Sequence, residues 1–142
     1  MASRDYLIRQ VEEMGIFLAL LLRRILKMKE ENQQNQMEAA VKESIFQETK
    51  IDIEQIVVLD EEAFLALANE HFTSENQLEK FADILMVLGK EIVSTFSLTK
   101  VNYLQKAFLL FNHLQNTTTS FSYERRNKIL EIEELLREKG VL

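Results

Sequence analysis

His71 is where metal or acid–base chemistry would have to begin in this chain, because Glu70 precedes it, Glu75 follows, and the Asp60-Glu61-Glu62 run lies just upstream. A carboxylate–histidine metal centre inside a helical protein needs several inward-facing ligands, usually with a glutamate three residues before each histidine. Ala68 and Leu110 occupy those places ahead of His71 and His113, so the ligand requirement is not met and no metal is expected. His71 is read instead as a helix C-terminal residue facing free carbonyls. His113 precedes a hydroxyl-rich stretch, Thr117-Thr118-Thr119-Ser120, that holds hydroxyl nucleophiles by composition. A nucleophile needs a base and a third, orienting group, and no spacing supplies them. With two histidines, no cysteine, no glycine-rich phosphate loop and no acid pair in an apolar setting, no catalytic or cofactor-binding residue is assigned.

The elements that would hold any such group are helices. The 142 residues contain no proline and three glycines, so little interrupts backbone hydrogen bonding. The expected fold is all-α: antiparallel helical hairpins stacked as a tetratricopeptide-like bundle, preceded by a long apolar N-terminal helix. One domain is expected over 1–142, with the long helix at 1–30, a helix and connector at 37–59, and stacked hairpins at 60–142. The absence of cysteine excludes disulfides and thiolate metal sites and fits a cytoplasmic protein. The apolar run Met14 to Leu22 is nine residues long, too short to cross the ~30 Å hydrocarbon layer of a bilayer. Asp5, Glu12 and Glu13 argue against a signal peptide, and the N-terminus is taken as part of the mature fold.

Within the first helix, Ser3 or Asp5 offers a cap, and Leu7, Ile8, Val11, Met14, Leu18, Leu22, Ile25 and Leu26 keep helical spacing. The polar stretch 30–36 is either linker or an exposed helical turn, and Ile51 to Leu59 a short helix or packed connector. Asp60 caps the next helix. Ser74 with Gln77 forms a capping box for the one after, and the string at 92–97 breaks the pattern before a helix resumes near Leu98. Ser122 caps the last helix and Gly140 stops it. Helices centred near 66, 82, 106 and 130 suggest two hairpins side by side.

Two stretches carry a resemblance. Asp5-Tyr6-Leu7-Ile8-Arg9-Gln10-Val11-Glu12 at the start, and Lys106-Ala107-Phe108-Leu109-Leu110-Phe111 followed by Thr119, Phe121, Ser122, Lys128 and Ile129, resemble the two ends of an uncharacterised bacterial family of small helical proteins related in architecture to tetratricopeptide repeats. The resemblance implies the stacked-helix fold and carries no activity, cofactor or ligand set. The regular 34-residue spacing of small residues in a true tetratricopeptide array is absent here.

Charge and hydropathy indicate where the protein could act. Residues 1–29 hold six basic groups against three acidic ones, a net of +3, leaving −9 for the remainder of a chain of net charge −6. The acidic bulk repels phosphate, so nucleic acid is not an expected partner. Arg23, Arg24, Lys27 and Lys29 follow the most apolar segment, which makes a membrane-surface helix the first alternative; Glu12 and Glu13 weaken it, and cations also gather where helix carbonyls are free. From Gly15 to Leu22 the first helix is apolar on every side. Phe17, Leu18, Leu21, Leu22 and Ile25 are therefore expected to form a self-association surface in a homo-oligomer. Lys80, Asp83, Asn102, Tyr103 and Lys106 are the expected protein-binding face of the hairpin stack. The reading is a non-catalytic protein-interaction or scaffold module, with a small-ligand or enzymatic role in an interhelical pocket as a second alternative.

Overall fold

The computed structural model describes residues 2–94 and 97–142, without the side chains of Ala2 and Ser97. Thr95 and Phe96, within the stretch expected to break the helical pattern, lie outside the described residues. The described residues form helices and connections, with no strand among them. The helices are α1 (Ala2–Glu30), α2 (Gln34–Thr49), α3 (Ile53–Ile56), α4 (Glu61–His71), α5 (Glu75–Glu91), α6 (Ser97–Thr117) and α7 (Tyr123–Glu138). The 29 residues of α1 make a rod of roughly 43 Å at 1.5 Å per residue.

The boundaries follow local chemistry. The Asp60 carboxylate accepts from the Ala63 N–H at 2.8 Å, the Ser74 hydroxyl from Gln77 at 3.1 Å, and the Ser122 hydroxyl from Arg125 at 3.0 Å. The amide of Gln77 completes the box one residue early, accepting from the Thr73 N–H at 2.9 Å. At the other ends, Asn32 and Gly140 take positive φ, of 59° and 76°. Each lies in a turn where the next N–H reaches back to the carbonyl five residues earlier, Gln33 to Met28 and Val141 to Leu136. The polar stretch after α1 is thus a tight cap, and α2 starts at Gln34 rather than Met37. The string around Ile53 resolves as the single turn of α3, capped by Asp52.

The arrangement is centred on α5. Leu78, Phe81, Ala82, Ile84, Leu85, Met86 and Leu88 are all buried on it, because α6 packs along one side and α1 along another. In turn α7 packs on α6, and α2 on α1. At Gly89 the helices α5 and α6 approach closely: a Cβ there would stand 2.6 Å from Leu104 Cγ and 3.0 Å from its backbone nitrogen. The all-α fold and the long first helix are as expected. Among the helices expected near 66, 82, 106 and 130, α5 packs most extensively on α6, α7 packs on α6, and α4 meets α6 and, through the Phe64 and Phe81 rings with centroids 6.4 Å apart, α5. Phe72 and Phe81 bring the start of α5 against the end of α4, with ring centroids 4.5 Å apart.

Candidate interaction surface on the first helix

One stripe of α1 is interior. Leu18, Leu21, Ile25 and Met28 are buried, and Met14, Phe17 and Leu22 are half-buried against the same core. This corrects the self-association surface expected from the sequence: Leu18, Leu21 and Ile25 are used up inside the fold, and Phe17 and Leu22 pack onto it. The cause is the crossing of α1 over α5 and α2, which gives this stripe intramolecular neighbours. Gln77, itself buried, fixes the crossing by donating from Nε2 to the Val11 carbonyl at 2.9 Å.

The opposite stripe has no such cover. Ile16 and Leu20 are 59% and 56% exposed, with Glu12, Glu13, Arg23 and Lys27 exposed around them. Between this face and α5 run two adjoining grooves of about 500 and 520 Å³ that share Ala19 and Lys80. Gly15 contributes to the groove floor, where a Cβ would meet only the Asn76 side chain, at 3.5 Å. Toward its start α1 runs past its neighbours, and Tyr6, Leu7, Ile8 and Val11 are all exposed. Leu7 and Val11 continue the line of Met14 and Leu18 at helical spacing, and line a groove of about 430 Å³ with Glu48, His71, Thr73 and Gln77, so they are core-type positions left only partly covered.

The basic cluster is only partly free. Arg24 donates to the Ser44 hydroxyl at 3.4 Å, Lys29 lies 3.7 Å from Glu91, and Lys27 lies 3.9 Å from Glu31. Among the described residues, Glu12, Glu13 and Arg23 make no ion pair or side-chain hydrogen bond. No helix among the described residues is long and apolar enough to cross a membrane.

The five residues expected to bind a partner do not form one surface. Lys80 lines the grooves beside α1. Asp83 is held by Lys128 of α7 at 2.7 Å, and its carboxyl is pushed above the usual range by burial, which outweighs the lysine's bond and charge. Asn102 is half-buried and lines a separate groove of about 340 Å³ with Glu38, Glu54 and Val57. Tyr103 is fully buried and donates its hydroxyl to Glu38 at 2.7 Å. Burial first, and then that carboxylate, raise its phenol far beyond the ordinary range. Lys106 is buried, its Nζ 5.8 Å from the centroid of the Phe64 ring, and burial lowers its ammonium against the opposing charges of Glu61 and Asp60. It lines a groove of about 550 Å³ with Phe108, Leu109 and Leu136. Tyr103 and Lys106 face inward because α6 is packed by α5, α7 and α4 at once, which its polar letters conceal.

His71 sits as expected at the end of α4, Nδ1 3.1 Å from the Leu67 carbonyl oxygen, a hydrogen bond whenever Nδ1 carries a proton. Among the described residues no group of three or more histidines and carboxylates gathers as metal ligands do. Sequence reasoning missed a polar bracket between α5, α6 and α7. Arg125, nearly buried, donates from Nε to both Glu79 carboxylate oxygens at 3.2 Å and from an Nη to Gln115 Oε1 at 3.0 Å. Its partners lie 46 and 10 residues away in the chain, so no local spacing could announce it. The outer stripe of α1 was also missed, although Glu12, Ile16, Leu20 and Arg23 fall at three- and four-residue intervals opposite Leu18, Leu21 and Ile25. No family model, no curated protein and no solved structure matches this chain.

Proposed function

We propose that this protein is a non-catalytic helical module that works by binding protein through α1. The observation that carries the reading is the number of large apolar side chains one helix leaves uncovered: Tyr6, Leu7, Ile8, Val11, Ile16, Leu20 and Leu26 are all more than two-fifths exposed. They lie on more than one face: Leu7 and Val11 extend the inner stripe beyond its cover, while Ile16 and Leu20 sit together on the outer one, and adjoining exposed apolar positions mark contact surfaces. The grooves flanking the stripe suit the side chains of a packed helix. A catalytic reading has less support, because the perturbed groups Asp83, Tyr103 and Lys106 belong to separate neighbourhoods and converge on no common cavity. The cysteine-free composition fits action in the cytoplasm.

The test replaces Ile16 and Leu20 with aspartate, a change at exposed positions that should leave the helical circular dichroism intact. Chemical cross-linking in the native host, followed by mass spectrometry, is expected to show contacts on α1 that this variant loses. Identical cross-link patterns for variant and wild type would overturn the reading.

A further inference from the structure

Resting on that reading, we infer that the outer stripe of α1 takes a second copy of itself, in an antiparallel twofold pairing. Glu13 and Arg23 stand ten residues apart, roughly 15 Å along the helix. Ile16 lies three residues inside the first and Leu20 three inside the second. At 100° per residue the four form a patch nearly symmetric about its own midpoint. Turned end for end, a second α1 lays Ile16 on Leu20, Leu20 on Ile16, and the acid of each copy across from the arginine of the other. Each contact occurs twice, as an isologous interface requires.

Charge complementarity favours this occupant over others. Glu12, Glu13 and Arg23 have no ionic partner in their own chain among the described residues, so the stripe carries free charges of both signs. An anionic membrane would attract Arg23 and Lys27 but repel the two glutamates on the same face, whereas an inverted copy satisfies both signs. In this register Arg9 lies opposite Lys27 and Asp5 opposite Glu31, each twice, toward the two ends of the contact and outside the Glu13–Arg23 pairs. Glu31 stands 3.9 Å from that lysine, and water screens the site. The sequence expectation of a homo-oligomer through α1 thus returns on a different face, with Ile16 and Leu20 in place of Leu18, Leu21 and Ile25.

Sedimentation equilibrium on the full chain tests this. The expected result is a species of twice 16.7 kDa at tens of micromolar. Ile16→Asp with Leu20→Asp should return it to monomer with unchanged helicity. Glu13→Arg and Arg23→Glu should each weaken the dimer roughly tenfold, since each reversal acts at two symmetric contacts. Combining them in one chain exchanges the charges and should recover most of the wild-type affinity. The native chain has no cysteine, so Glu13→Cys in one copy and Arg23→Cys in a differently tagged copy should cross-link to each other more readily than either does to itself.

A wild-type monomer at that concentration overturns the inference, as does a dimer that the aspartate variants leave intact or the charge exchange fails to rescue. Binding to anionic vesicles that the same aspartates abolish, without a dimer, overturns it in favour of a lipid surface. A monomer whose α1 still cross-links to another protein in the host removes this inference and leaves the protein-binding reading in place.

Discussion

Gly89 gives the sharpest test of how this molecule is held together. A methyl group there would lie 2.6 and 2.7 Å from two side-chain carbons of Leu104 and 3.0 Å from that residue's backbone nitrogen. Carbon atoms prefer about 3.5–4.0 Å, so α5 and α6 must part, or Leu104 must shift, by about 1 Å. Overpacking of this kind costs about 1–3 kcal/mol. Alanine recovers about 1 kcal/mol through its better helix propensity. The α5–α6 contact is the most extensive in the fold and the obstructing atoms include backbone, so little relaxation is open to the chain. The cost therefore falls in the upper part of that range, about 2–3 kcal/mol, and the net loss for Gly89→Ala is about 1–2 kcal/mol. With an unfolding entropy of roughly 2.1 cal/mol/K per residue over this chain's 142 residues, or about 0.3 kcal/mol/K, Tm falls by about 3–7 °C. Urea unfolding followed by helical circular dichroism measures the change. A double-mutant cycle with Leu104→Ala adds specificity, since trimming Leu104 should cost at least ~1 kcal/mol less in the Gly89→Ala variant than in the wild-type chain. A Gly89→Ala protein as stable as wild type, or more stable, would refute the close approach of α5 and α6.

Two further outcomes bear on stability. Lys50 closes α2 with φ of 65°, a conformation that costs a side-chain-bearing residue about 1–2 kcal/mol and glycine almost nothing. After allowing for the greater freedom of unfolded glycine, Lys50→Gly should be about 0.5–1 kcal/mol more stable than Lys50→Ala in denaturant titrations, and the reverse order would exclude the left-handed cap. Tyr103→Phe should cost about 1–2 kcal/mol at neutral pH, because the buried hydroxyl gives a short hydrogen bond to Glu38. The same residue predicts a pH slope. Its pKa is raised by folding, so the native state keeps a proton that the unfolded chain loses above about pH 10. This contribution is fully present below that pH and declines above it, by at most about 1.4 kcal/mol per pH unit. The phenylalanine variant should lack this part of the alkaline decline; an unchanged slope would place Tyr103 in contact with water.

Much of the fold was legible because it is local. Asp60, Ser74 and Ser122 announced their helices through oxygen atoms that reach an N–H three residues on, a geometry fixed by neighbours in the chain. Gly140 and His71 were equally readable, each acting within its own last turn. The candidate surface was only half legible. Composition marked α1 as too apolar for a simple surface helix, but Gly15 to Leu22 carries hydrophobic side chains all round, so periodicity could not separate the inner stripe from the outer. Lys106 and Tyr103 misled for a related reason, since a polar tip on a long apolar body can be buried when the tip finds an aromatic face or a carboxylate.

Sequence alone determined that this chain would be helical, where most of its helices begin and end, and that its first helix carries more apolar surface than one core contact needs. These follow from propensity, caps and composition, which act over a few residues. Tertiary structure decided that α5 lies at the centre between α1 and α6, that Leu18, Leu21 and Ile25 face inward, and that Ile16 and Leu20 are left facing water between free charges of opposite sign. Those choices rest on contacts between residues far apart in the chain, such as Gln77 with Val11 and Gly89 with Leu104, whose energies no local window contains.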